Sequence, residues 1–241
     1  MKKNSLLRTF IFLIFMSATP CLHAQEGNWT EPFDTVGHTN RWKQAAAAIQ
    51  DLKDGVLVVR LRSDQRKIEA LQGQLATPNL KEKYRTRLKK MLDDTRRENE
   101  TENKSLVAAF REHFDFTDVL FMYDTATYLL KNGQKEGFFL NDSLQVDPHL
   151  SLQGRTFRLV RFGSKSGMKQ RKSLIGMDLN FRDLPAPFPT SGNVSFWEGI
   201  VLIFKKDKNW KSDYHFHVSR FNDQLHKFYE KCRRKGVGSR E

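Results

Sequence analysis

The sequence predicts an α/β fold, a single domain on a mixed, partly parallel sheet with flanking helices and a long charged helical hairpin. Three observations lead there. Val56 to Leu61 and Val119 to Tyr123 are short apolar runs, the first rich in valine, as expected of strands buried on both faces. A long stretch of helical periodicity separates them, which makes a strand–helix–strand unit and hence a parallel pair with a right-handed crossover. The chain then closes on an amphipathic segment, roughly 216–233, in which Val218, Phe221, Leu225, Phe228 and Cys232 recur at alternating steps of three and four.

In chain order, residues 1–24 read as a secretory signal peptide. Lys2, Lys3 and Arg8 precede an apolar run from Phe10 to Met16, and Ala24 places a small residue just before Gln25. The run is shorter than the roughly 20 residues that span a bilayer. Ala18 and Pro20 do not supply the lipobox that would attach lipid to Cys21. The expected product is a chain starting at Gln25, soluble after cleavage and periplasmic or secreted.

Residues 25–39 are polar, with Pro32 and Gly37, and are expected to be irregular. Asn40 can cap a helix from Arg41 to Leu52 with Trp42, Ala45, Ala46 and Ile49 on one face, ended by Asp54-Gly55. After the first strand, residues 64–113 form the helical hairpin. Ile68, Leu71 and Leu75 stripe its first arm, Thr77-Pro78 marks its tip, and Leu80, Tyr84, Leu88, Met91 and Leu92 open the stripe of the second arm. Leu106, Ala109, Phe110 and Phe114 resume that face beyond a polar stretch. A short helix at 125–131 ends at Asn132-Gly133, and Gly137 to Leu140 suggests an edge strand. Further strands are expected at Phe157–Phe162, Leu174–Asn180 and Ile200–Phe204, with a proline-marked loop around Pro185, Pro187 and Pro189. The domain proper is thus 40–233, and 234–241 reads as a tail.

Composition narrows the function classes. The 241 residues carry a net charge of +13. Three basic residues and no acid lie in the signal, leaving 13 − 3 = +10 on the remaining chain. Such an excess attracts anionic partners. Acids are nevertheless interspersed, as in the arm 81–104 with nine basic and six acidic residues, so this arm reads as a solvated surface and not as a specific nucleic-acid stripe. Its apolar stripe needs a partner, either within the domain or in a second chain, which would make hairpin 64–113 an oligomerisation arm. Cys232 is the one cysteine left after cleavage, which excludes an internal disulfide and a cysteine-based metal site.

Taken in sequence, Gly55 to Leu61, Ala108 to Phe116, the strand to Tyr123, Phe139 to Leu144, Leu184 to Pro189 and Arg220 to Tyr229 form an order that resembles a group of secreted or periplasmic proteins of Bacteroidota with no assigned activity. The resemblance spans most of residues 40–232. It implies a bacterial envelope setting and carries no catalytic residue with it.

Three candidate sites follow from residue types. Arg62, Asp64, Tyr123 and Asp124 lie just at or beyond the two core strands, and in open α/β sheets ligands bind outside the carboxyl ends of strands. The plainer reading, which the sequence favours, makes Asp64 and Asp124 caps of the helices they precede. Gly163 to Lys172 is glycine-bearing and basic, so Lys165, Lys169, Arg171 and Lys172 could hold an anion. It lacks the spacing of a P-loop and the companion motifs of Ser-x-x-Lys acyl-serine enzymes, and a solvated strand connection is the simpler reading. His215 and His217, with Asp213 or His226, could bind metal if the segment were a strand. At the start of the closing helix the two imidazoles diverge by about 200°, so no metal site and no cofactor is expected. The leading expectation is a non-enzymatic envelope protein that binds a partner protein or an anionic polymer. The alternative is an α/β enzyme, for instance a hydrolase of an envelope polymer, with its site at the strand ends. An open, polar crevice there, as opposed to one filled by residues 141–152 and 184–197, would distinguish the two.

Overall fold

The computed structural model describes residues 35–164, 172–192 and 213–236. In order, these form α1 (Thr35–Lys53), β1 (Val56–Leu61), α2 (Gln65–Leu75), α3 (Glu82–His113) and β2 (Asp118–Tyr123). A 3₁₀ turn (Asp124–Ala126) leads into α4 (Thr127–Lys131), and β3 (Phe157–Ser164), β4 (Lys172–Met177) and α5 (Tyr214–Arg234) complete the set. The expected strand at Ile200–Phe204 lies outside the described residues, as do Lys165, Lys169 and Arg171. None of the described helices is long and apolar enough to cross a membrane.

The four strands form one sheet in the order β2-β1-β3-β4. β1 runs parallel to β2, with Val56 opposite Asp118 and Leu61 opposite Tyr123, and parallel to β3, with Arg60 opposite Arg161. β4 is antiparallel to β3, Ser164 facing Lys172, so the segment between them does join two strands as the sequence suggests. The expected edge strand around Leu140 reduces to single bridges, Phe121 to Leu140 and Leu140 to Val146.

Alternation along the strands divides the core into two layers. Leu57, Val59, Leu61, Phe121, Val160 and Leu174 face α1, the last turns of α3 and the whole apolar stripe of α5. Val56, Val58, Leu120, Met122, Leu159 and Met177 face the other way, against Ala126, Leu130, Phe138, Phe139 and Leu152. All five stripe residues of α5 are buried, Phe221 and Leu225 completely. Asp213 caps this helix, accepting from the His215 N–H at 2.9 Å and the Phe216 N–H at 3.3 Å.

One boundary and one packing expectation differ from the sequence reading. α1 begins at Thr35, so Asn40 lies inside the helix and does not cap it, and part of the expected irregular lead-in is helical. The hairpin has its tip where Pro78 requires it, between α2 and α3, but its stripe is only partly covered. Leu71 and Leu92 are buried, whereas Tyr84 and Met91 remain 58% and 40% exposed. Among the described elements, the outer part of α3, a helix about 48 Å long at 1.5 Å per residue, packs against α2.

Candidate functional site

The sheet order places a topological switch between β1 and β3. After β1 the chain steps sideways to β2 through the helices that cover one face. After β2 it returns past β1 to β3 by way of α4, which covers the other face. The two connections leave the carboxyl ends of β1 and β3 on opposite sides, and a crevice opens between them, the position where such sheets bind ligands.

Two adjoining clefts occupy this end of the sheet. One, of about 330 Å³, is lined by Arg60, Arg62, Arg161 and Lys172 together with Glu102, Asp124 and Tyr214. The other, of about 860 Å³, shares Arg60 and Asp124 and adds Arg66, Lys67, Lys131 and Asp64. Each has four cationic side chains against two carboxylates, so both attract anions.

The walls are built by long-range polar contacts. Asn99 and Asn103 of α3 are buried on the face where the apolar stripe would have continued. Asn103 Nδ2 donates to the Arg62 carbonyl at 2.8 Å and Asn99 Nδ2 to the Ser63 carbonyl at 2.9 Å, while Arg62 Nε donates to Asn99 Oδ1 at 3.1 Å. These bonds hold the turn after β1 against α3. Arg62 also pairs with Asp64 at 2.8 Å and reaches Glu102 at 3.6 Å. Glu102 in turn bonds the Tyr214 phenol, and burial first, then the neighbouring Glu102 charge, pushes that phenol up to about 12.

Asp124 ties β2 to β1. Its Oδ1 accepts the Ser63 N–H at 3.1 Å and the Ser63 hydroxyl at 2.5 Å, and the Ser63 Oγ itself accepts from the Gln65 N–H at 3.3 Å. The capping role expected of the two aspartates is therefore wrong. Neither carboxylate bonds the helix that follows it. Asp64 sits at φ 51°, a left-handed conformation that aspartate tolerates and that turns its side chain to Arg62. Ser63 provides the bond to the α2 amide that Asp64 was expected to make.

Arg62, Asp64 and Asp124 thus converge as the parallel pairing requires. Tyr123 meets Arg62 in a third, adjoining cleft of about 420 Å³, which Ser63, Asn99, Asn103 and Gln145 also line, and it lines neither of the two basic clefts. Burial, with Glu100 second, raises its phenol. Of the basic loop, Lys172 is described and lines the β1/β3 cleft. No described residue of 141–152 or 184–192 lines either basic cleft. Ser143 to Gln145 edge the third cleft, and Leu184 and Phe188 are buried in the core.

Sequence reasoning missed Arg60 and Arg161. They lie in register on neighbouring strands and on the same face, a like-charge pair. Arg161 is bound to Asp183, with Nη2 2.9 Å from both carboxylate oxygens, and passes over Gly163, where a Cβ would come within 2.8 Å of Nη1. Arg60 differs. Its Nε is buried without a hydrogen-bond partner, and no carboxylate pairs with it among the described residues. The signal was available: an arginine interrupting an otherwise apolar strand is rarely buried without a reason.

The histidines gather differently from either sequence reading. His217 is buried and shares a 3.0 Å bond with the Ser191 hydroxyl. His226 bonds Asp115 at 2.9 Å. Asp213 is occupied as a cap, and His215 projects to the end of α3. No protein-family model, curated protein or solved structure matches this chain.

Proposed function

We propose that the protein is an exported binding module whose β1/β3 crevice takes an anionic ligand bearing phosphate, sulfate or carboxylate groups, such as a segment of an acidic envelope polymer. The observation that carries this reading is Arg60, a cation with an unpartnered buried Nε on the wall common to both clefts. Arg161 opposite it is held in place by Asp183, and Lys172 adds a charge at the rim. A buried donor without a partner costs stability, and charge-assisted bonds from the rest of the guanidinium to an anion in the crevice would offset that cost. Backbone export and the envelope setting rest on the signal-like first 24 residues and on the resemblance given above.

The test is retention on immobilised heparin. The parent chain should be retained at low salt and elute steeply as ionic strength rises, because bound counterions are released. The Arg60→Met, Lys172→Ala double variant should elute at clearly lower salt. Unchanged elution of the double variant would remove the site from this crevice. Two observations favour the enzyme alternative, the open, polar crevice at the strand ends and the Ser63 hydroxyl directed at Asp124. Cleavage of an acidic polymer that disappears in Ser63→Ala, with heparin retention intact, would establish it over simple binding.

A further inference from the structure

We infer that Glu112, His113 and His215 form a binding site for a divalent transition-metal ion, zinc by preference, that clips the end of α3 to the start of α5. The three side chains bring one ligand atom each into a common space. His113 Nε2 lies 3.1 Å from His215 Nδ1, across 102 positions of sequence. His215 Nδ1 lies 3.3 Å from Glu112 Oε2, and His113 Nε2 3.6 Å from Glu112 Oε1.

These separations match coordination. A tetrahedral zinc with bonds of 2.0–2.1 Å holds its ligand atoms about 3.3–3.4 Å apart. The His113 Nε2–His215 Nδ1 and His215 Nδ1–Glu112 Oε2 separations, 3.1 and 3.3 Å, lie close to that value, the second carboxylate oxygen, Oε1, stands 3.6 Å from His113 Nε2, and the two imidazole planes cross at 82°. Two imidazoles and a carboxylate are a borderline donor set suited to zinc, and three protein ligands leave the fourth position to water or a substrate. Without metal, two imidazole nitrogens 3.1 Å apart must share a proton between them, and a zinc ion takes the place of that proton. The site is distinct from the basic crevice, since none of its residues lines either cleft there.

No helical His-x-x-x-His spacing announces this group, because two ligands are neighbours on α3 and the third comes from the helix packed against it. His226, the other exposed histidine of α5, is engaged with Asp115 and serves as an internal control.

The experiment is a calorimetric titration of the untagged full chain with zinc alone, paired with thermal melts with and without zinc. One zinc should bind per chain and raise the melting temperature. His113→Ala and His215→Ala should each weaken binding by more than the roughly 10- to 100-fold seen for loss of an outer-shell partner, and should abolish the zinc-dependent rise. His226→Ala should bind as the parent does. Because the ligands are at the surface, the metal-free melts of the variants should match the parent, and His113→Gln with His215→Gln gives a second pair that keeps side-chain bulk. Zinc affinity unchanged in the His113→Ala, His215→Ala double variant, or no binding by the parent, would overturn the assignment.

Discussion

Replacing Arg60 with methionine should make the protein more stable and a poorer binder. Methionine keeps the unbranched stem that lies along the sheet and removes the charge. Two costs of the native residue then disappear. The like-charge pairing with Arg161 across β1 and β3 is worth about 0.2–1 kcal/mol, and Asp183 beside Arg161 puts it at the low end. The buried, unpartnered Nε costs about 1–3 kcal/mol, reduced here because the residue as a whole is only partly buried. A net gain of about 1–2 kcal/mol corresponds to a rise in melting temperature of about 2–8 °C for a domain of this size. The same change removes charge-assisted bonds to an anion, worth about 1.5–3 kcal/mol, or about 10- to 140-fold in affinity. Circular-dichroism melts in a phosphate-free buffer measure the first quantity, and calorimetric titration with pyrophosphate the second. Residues held for binding characteristically cost stability in this way. A melting temperature that falls, together with unaltered pyrophosphate affinity, would refute the reasoning and make Arg60 a structural residue.

The two aspartates should separate. Asp124→Ala removes the acceptor of two Ser63 bonds and should cost about 1–3 kcal/mol in a chemical denaturation series, whereas Asp64→Gly relieves a left-handed conformation, loses only a half-exposed ion pair and should leave stability unchanged or slightly raised; equal losses would contradict the bonding described. Tyr214 should supply the highest-pH component of the tyrosinate absorbance titration, near 12, and Tyr214→Phe should delete it. Because its folded value is raised above the ordinary 10, the phenol's contribution is complete below pH 10 and lost as pH climbs towards 12, so the variant should lose less stability over that interval than the parent.

What the chain determines by itself is what short-range periodicity encodes. The valine-rich run of β1, the proline at the hairpin tip and the steps of three and four in α5 each follow from burial of one face or two, and each appears in the fold where the pattern places it. The convergence of Arg62, Asp64 and Asp124 was legible for the same reason, since a strand–helix–strand unit brings two strand ends together. The roles of those residues were not. Capping is a local rule, but a left-handed turn at Asp64 and a tie from Asp124 to Ser63 across 61 positions displaced it. Asn99 and Asn103 look like a polar break in a helix until α3 is laid against the end of β1, where they replace apolar residues because bare backbone carbonyls there need donors. Arg60 opposite Arg161 depends on β3 pairing with β1, and His113 beside His215 depends on α5 packing against α3. Sequence spacing carries no record of such meetings, because each is set by how separate elements register against one another, and register is a property of the packed sheet and helices alone.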